Sequence, residues 1–458
     1  MPPLLELLQW SEHLLWTYLC LPALIGLGLF LGWKSRLAQL RHFPKALGHF
    51  LSFFSSKKSQ EGGITHEGVA PIKAFFACVG GCIGIGNIVG VCTAVQIGGP
   101  GALFWLWMTA AIGMLVKYAE VYLGMRYRVT MEDGSWRGGP MYFLAPLFKS
   151  SWVPMAAALL LCIYGVEIYQ FTIVASSLST NFSLDKGLVV LVLLLLVLYA
   201  GRGGVARVGA ISSAIIPLFI LIYLGMVGWI LLQHWQELPT LLWGVLASAF
   251  TGHAATGGFV GSTMMLALSQ GLRRACYSGD LAIGYASVIH SESREPIAEK
   301  QASLVMVDIF LDSFIICTAT ILLVLATGVW QEPIDQELLV QSALEQSFSY
   351  ASYFMPLFLF FLGYSTINAY FVVGLNCAEF LGGALGRKVY YGYSCLALLL
   401  FAYVDSTVAQ SVMTLVGGGL LLLNCYGIAR LSSQLSFAIP SRAEGGRQKR
   451  AEGAAVEA

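Results

Sequence analysis

The residues in this chain with the most evident chemical use are glycines. Gly80, Gly81, Gly84 and Gly86 are followed directly by Asn87, inside a run whose other members are almost all apolar. A phosphate loop would need a Lys and a Ser or Thr after its last glycine, and a dinucleotide fingerprint would need a preceding strand. This run has flanks of membrane-helix length instead. Glycines in such a helix allow it to unwind in mid-membrane, where freed carbonyls can hold a cation and freed N–H groups an anion. The plainer alternative is close packing, because glycine is common in membrane helices; the density of glycines and the presence of Asn87 favour a break. A second cluster, Thr251-Gly-His-Ala-Ala-Thr-Gly-Gly-Phe-Val-Gly261, has the same character.

Few ionisable side chains accompany these clusters. Glu167 stands in a long apolar run, where an acid is costly and functional by default; it either carries a proton or is held by neighbouring hydroxyls. Lys117 and Glu120 are one helical turn apart and are expected to pair with each other or to snorkel. Asp308 and Asp312 share a helix face but have no nucleophile, base or metal-ligand partner at a sensible spacing, so they are expected to line a polar inner vestibule. His253, beside the second cluster, is either a titrating group or a hydrogen-bonded structural one. No constellation of nucleophile and base accompanies them, so an enzyme is not expected.

The elements that must position these residues are membrane helices. Hydrophobic residues make up 57% and charged residues 11% of 458 residues, and the mean hydropathy is +0.73, which excludes a soluble domain. A formal net charge of +1 says nothing about nucleic acid, but no basic face interleaved with aromatics lies outside the spans, so no nucleic-acid partner is expected. The 10 cysteines (Cys20, Cys78, Cys82, Cys92, Cys162, Cys276, Cys317, Cys377, Cys395, Cys425) fall almost all in apolar runs without a C-x-x-C pair, and read as buried small hydrophobes. Apolar runs near 14–33, 69–97, 101–125, 152–178, 187–200, 209–232, 241–272, 301–329, 351–380, 389–404 and 407–429 predict roughly eleven helices, an all-α polytopic membrane protein. The first of them lacks the cationic start of a signal peptide, Lys34 being the first Lys or Arg, and is expected to remain in the membrane.

Leu37–Phe54 mixes Arg41, His42, Lys45 and His49 with Leu40, Phe43, Leu47 and Phe50. It predicts an amphipathic helix on the inner surface, with His42 and His49 at the interface. One orientation keeps nearly every cation cytoplasmic: Lys34 to Lys58, Arg126/Arg128/Arg137, Arg202/Arg207, Arg273/Arg274, Arg294/Lys300, Arg387/Lys388 and the tail from Arg430. It puts the N-terminus outside and the C-terminus inside. The expected organisation is an N-terminal helix and surface segment (1–60), a first five-helix repeat (61–235), a second (236–430) and a disordered cytoplasmic tail (431–458). Because five is odd, the two repeats cross in opposite senses. Glycine-interrupted helices at corresponding positions of inverted halves mark the substrate site of a transporter.

Gly86-Asn-Ile-Val-Gly90, followed by Ile97-Gly-Gly-Pro-Gly-Ala-Leu-Phe-Trp-Leu-Trp107 and Lys117-Tyr-Ala-Glu-Val121, closely resembles the signature of the sodium:alanine (alanine or glycine:cation) symporters. The likeness continues through Arg137-Gly-Gly-Pro-Met-Tyr142, Ala247-Ser-Ala-Phe250, Gly257-Gly-Phe-Val-Gly261 and Tyr364-Ser-Thr-Ile367, over about residues 36–430. The resemblance implies the inverted-repeat leucine-transporter fold, a bacterial-type plasma (inner) membrane, and uptake of a small neutral amino acid, alanine or glycine, driven by sodium with no further cofactor. The substrate carboxylate would take N–H groups at the N-terminus of a half-helix, and sodium would take carbonyls released by unwinding together with hydroxyls. Carried over residue by residue, the substrate site comprises Gly84, Ile85, Gly86, Asn87, Gln170, Gly257, Gly258, Phe259 and Tyr370, and the sodium site Gly84, Ser365 and Thr366. Without the resemblance, the Ser365–Thr366 pair could equally bond its own helix carbonyls, and Gln170 could be glue between helices.

Four positions depart from the family pattern. Ile85 replaces a Thr, Tyr370 a Trp and Glu167 an Asn, while Ser278-Gly-Asp-Leu-Ala282 replaces Ser-Asn-Glu-Ala-Gly and keeps an acid at Asp280. Glu167 and the missing hydroxyl leave a proton-coupled symporter or exchanger as the alternative.

Overall fold

In a hydrocarbon environment a long apolar run can satisfy its backbone only by coiling into a helix. The computed structural model describes residues 2–55, 68–132, 134–251 and 264–440, and these are helical nearly throughout. α1 (Leu5–Ser35) is one long apolar helix. Left-handed Arg36 and Leu37 turn it into the amphipathic α2 (Phe43–Ser55). α3 (Pro71–Cys82) and α4 (Val89–Gly98) make one span bent by 56°. α5 (Ala102–Arg126) runs into a two-stranded antiparallel ribbon, β1 (Val129–Thr130) on β2 (Trp136–Arg137). α6 (Trp152–Tyr164) and α7 (Ile168–Phe182) are joined at Glu167, which is left-handed at φ 50°.

The short α8 (Lys186–Gly201) follows, then α9 (Gly204–Gln233) and α10 (Leu238–Phe250). α11 (Met264–Ser278) and α12 (Tyr285–Ser291) precede α13 (Ala298–Ala326), which widens to a π-turn over Phe310–Cys317. α14 (Ala351–Phe401) leaves helical geometry at Gly382 and Gly383, and α15 (Ser406–Arg430) completes the order. By length and apolarity, 7 described helices can cross a membrane, 8 with the bent pair as one span, and α8 and α10 are shorter apolar helices. α3 packs against α9 and α14, α5 against α11, α12 and α13, and α7 against α14.

Two surface expectations change. α2 is amphipathic as its pattern requires, but His49 is buried, with Nδ1 3.3 Å from Ser303 Oγ on α13. It lies on the same face as Ala46 and Phe53, so it sits between helices and not at the lipid boundary; His42 is half-buried. The first residues of the expected tail are also packed. Tyr118 donates to the Ser436 carbonyl at 2.8 Å, Tyr127 bonds Gln434 at 2.8 Å, and Phe437 stacks on Tyr118 at 5.3 Å. Residues 441–458 lie outside the described residues. All the described cysteines are free thiols, and all but Cys395 are buried.

Candidate functional site

α3 ends where the first glycine cluster begins to deny it a regular turn. Ile83 and Gly84 are extended (Gly84 φ −130°, ψ −160°), Ile85–Asn87 form a single tight turn, and helix resumes at Val89. The backbone groups freed by the break are taken up by side chains. Asn87 Oδ1 accepts the Gly84 N–H at 3.0 Å, and Gln170 Oε1 on α7 accepts the Ile85 N–H at 3.3 Å. The Asn87 amide donates in turn to Asp312 in the π-turn of α13 and lies 3.5 Å from Cys317 Sγ. Glycine is required at 84 by proximity, since a Cβ there would stand 2.7 Å from both Gln170 Oε1 and Thr366 Oγ1.

The hydroxyl pair on α14 lies against the end of α3. Thr366 Oγ1 is 3.0 Å from the Gly80 carbonyl and 3.1 Å from the carbonyl of Leu362 in its own helix, so its single proton serves one carbonyl at a time. Ser365 Oγ is 2.7 Å from Ser212 Oγ of α9, and a Cβ at Gly80 would come within 2.5 Å of it. Both side chains are fully buried. The result is a cluster of neutral oxygens around a helix end, the donor set that suits a small monovalent cation.

Gly257, Gly258, Phe259 and His253 lie outside the described residues. The interruption that meets the first one comes later in the chain, between Ser278 and Tyr285, where Asp280 (φ 48°), Ala282 (φ 59°) and Gly284 (φ 98°) are left-handed. α11/α12 runs antiparallel to α3/α4. At one end a Cβ on Gly98 would contact Gln270 and Ala267 at 3.1 and 3.2 Å; midway one on Gly86 would meet the Tyr277 ring at 3.5 Å. At the other end the Val69 N–H bonds the Glu292 carbonyl at 2.8 Å. The two breaks are therefore level with each other.

This geometry corrects the expected position of one cation pair. Arg273 lies 3.4 Å from Glu12 and 3.2 Å from Thr17 of α1, roughly 30 Å along that helix from Lys34 at 1.5 Å per residue. Arg294, by contrast, joins Val69 at the opposite end. Arg273 and Arg274 are thus not part of the cation band that includes Lys34 and Arg294. Hydropathy counts a charge wherever it points, and these charges point into protein.

Between the breaks is a small cavity of about 10 Å³, the space of roughly one water. It brings together Gly86, Asn87, Gln170 and Tyr370 of the expected substrate residues, and adds Tyr164, Glu167, Tyr277, Ser278 and Asp280. Gly84 and Ile85 are not among them: Gly84 faces Gln170 and Thr366, and Ile85 Cδ1 packs toward Gly363, 3.1 Å from where a Cβ there would be. Tyr370 stacks on Tyr285 at 4.1 Å and meets Tyr164 edge-on at 5.4 Å. Glu167 Oε2 is buried and makes no hydrogen bond to a described residue. Tyr277 and Ser278 carried no separate signal in the sequence; the departure at Ser278–Ala282 was the only marker of that segment.

The remaining membrane charges pair differently from expectation. Lys117 does not pair with Glu120. Its Nζ is 2.6 Å from Asp308 and 3.0 Å from Cys82 Sγ, all three residues being buried. Glu120 instead accepts the Ser287 N–H at 3.2 Å. Asp308 and Asp312 line no vestibule: the first holds Lys117, and the second accepts from Asn87, from Ser278 Oγ at 3.1 Å and from Ser313 Oγ at 2.7 Å. The reason is distance across the bundle, which brings α5 and α13 together while sequence spacing compares only neighbours along one helix. The ligand atoms of Cys78, Cys82 and Asp308 lie within 4.8 Å of one another, and the Lys117 ammonium already supplies the positive charge there.

A family model described as the sodium:alanine symporter family matches residues 2–449. Among curated proteins, an uncharacterized transporter of Haemophilus influenzae is 30% identical over 425 residues, 90% of each chain. The sodium/alanine symporter AgcS of Methanococcus maripaludis is 29% identical, over 93% of this chain and 94% of that one. Among solved structures, the crystal structure of MhsT in complex with L-phenylalanine aligns with a TM-score of 0.57 at 14% identity, covering 79% of this chain and 88% of that chain. At that identity the likeness speaks for the fold, which is the leucine-transporter fold.

Proposed function

The chain belongs to the sodium:alanine symporter family, and from that premise we propose that it carries a small neutral amino acid, of the alanine or glycine type, together with sodium by alternating access around its two interrupted helices. It is a multi-pass membrane transporter, not an enzyme. The observation that carries the sodium assignment is the neutral oxygen cluster of the Gly80 carbonyl, Ser365 and Thr366 at the end of α3, beside Gly84. A cation there would tie α3 to α14, and its release would free α3 to swing away from α14.

The substrate carboxylate faces the positive start of α4, where it would displace the Asn87 and Gln170 oxygens that accept the Gly84 and Ile85 N–H groups in this structure. Its ammonium is left toward Glu167 and Asp280, and the rings of Tyr164, Tyr277 and Tyr370 limit the side chain to a small one. The cations at Lys34, Arg126, Arg294 and Arg430 support a cytoplasmic C-terminus and an N-terminus outside, in a bacterial-type plasma membrane. Glu167 Oε2, without a hydrogen-bond partner among the described residues, favours one alternative, coupling to a proton.

Reconstitution into liposomes separates the two. Labelled alanine or glycine uptake is measured under a sodium gradient, a proton gradient or neither. Accumulation under the sodium gradient alone is expected; uptake that is unaltered when sodium is removed rejects sodium coupling.

A further inference from the structure

Two adjacent arginines on α11 are differently provided for. Arg273 is held by Glu12, His13 and Thr17 of α1, at 3.2 to 3.4 Å. Arg274 is 7% exposed, yet its guanidinium forms no ion pair or hydrogen bond among the described residues; its neighbours are the Tyr277 ring, 6.0 Å away, and Gly90. A Cβ at Gly90 would stand 2.9 Å from Arg274 Cζ, so only glycine lets the guanidinium lie on the first turn of α4. That turn carries the positive end of a 10-residue helix. Two positive features therefore face each other, and among the described residues no carboxylate is bonded to either.

Arg273 and Arg274 both border a second cavity, of about 400 Å³, on the far side of Tyr277 from the substrate site. Tyr277 lines both spaces and is the partition between them. Glu12 is the one carboxylate bordering the larger cavity among the described residues, and Arg273 takes it. The remaining polar side chains that border this cavity, among them Thr93, Gln270 and Gln336, carry no negative charge. On the reading given above, we propose that Arg274 and the start of α4 form a carboxylate-receiving subsite in the outer vestibule, where the amino acid docks before Tyr277 moves aside and admits it to the site between the breaks. Arg suits this role because its planar fork takes both carboxylate oxygens. Glu167 and Asp280 lie beyond Tyr277, so the zwitterion meets a cation first and acids second.

The test is uptake into proteoliposomes by the full chain, wild type against Arg274→Gln and Arg274→Lys, with sodium and labelled alanine or glycine outside. The half-saturation concentration of Arg274→Gln is expected to rise about tenfold, which corresponds to about 1.4 kcal/mol, with the rate at saturation kept and partial recovery in Arg274→Lys. Propionate, a carboxylate without an amine, is expected to compete with uptake by the wild type. This arm needs no variant and holds even if Arg274→Gln misfolds. Propionate that does not compete, or an unchanged half-saturation with a lowered saturated rate, overturns the subsite and makes Arg274 a strut. Wild-type uptake that depends on chloride when chloride is exchanged for sulfate reassigns the anion and also overturns it. A wild type that transports neither amino acid defeats the function proposed above, an outcome distinct from these.

Discussion

The two interruptions at the centre of this protein are built in opposite ways. The first, Ile83–Ile88, is local: its glycines lie in the sequence, no residue in it is left-handed, and Asn87 caps Gly84 three residues away. The second, Gly279–Gly284, puts Asp280 and Ala282 into left-handed conformations that residues with a Cβ avoid. It is held from outside: Asn424 of α15 donates to the Ala282 carbonyl at 2.9 Å. A Cβ at Gly284 would press on the Pro140 ring. One break is relaxed backbone that side chains then occupy, and the other is strained backbone that packing maintains.

The sharpest way to break this contrast is Gly84→Ala. Its new methyl would collide with Gln170 and Thr366, and initial uptake is expected to fall roughly 100-fold, as for a misplacement of about 1 Å at a reacting centre, while the purified protein still elutes as a folded species. Retained uptake would show that the first break tolerates a side chain and is not organised by proximity. Next in size, Ser365→Ala combined with Thr366→Ala removes two of the oxygens at the end of α3. The sodium concentration for half-maximal uptake is expected to rise about tenfold or more, from the loss of hydrogen-bond-strength contacts to a charge, with a smaller change in melting temperature. Unchanged sodium dependence in the folded variant moves the ion elsewhere.

The second break is probed by stability. Asn424→Ala leaves the buried Ala282 carbonyl unpaired, and denaturation should show a loss of about 1–3 kcal/mol. The same substitution has no counterpart at the first break, where the caps come from the break itself and from α7. The smallest effect is the opposite in sign. Ala282→Gly relieves the left-handed strain and is expected to stabilise by about 1 kcal/mol or less, seen as a higher melting temperature. A destabilised Ala282→Gly would mean that the Ala282 methyl packs more favourably than its backbone is strained.

How much could be read in advance follows from the same contrast. The first break, the bent span around it and Gln170, Ser365 and Thr366 were legible, because glycine density and family motifs are properties of a short stretch. The second break was assigned to Thr251–Gly261, which resembles the first in composition; the interruption aligned with Gly84–Asn87 is Gly279–Gly284, where only Gly279, Asp280 and Gly284 give a sign. Arg273, Arg274 and Asp280 lowered the apparent hydropathy of 264–291 and hid it as a crossing. Lys117 and Glu120 looked like partners because they are one turn apart, whereas the true partner of Lys117 is Asp308, on a helix nearly two hundred residues away by the numbering.

By itself the amino-acid order determined that the chain lives in a bilayer, that it is helical, and that one helix must come apart at Gly80–Asn87. Each of these is a sum over neighbours along the chain: apolar length, backbone satisfaction and the cost of glycine in a helix. Tertiary structure alone decided which buried charges neutralise each other, where the second helix opens, and that Arg274 borders a vestibule with no ion-pair partner of its own among the described residues. Those depend on which way a side chain faces and on what a distant helix brings against it, and a linear sequence carries neither quantity.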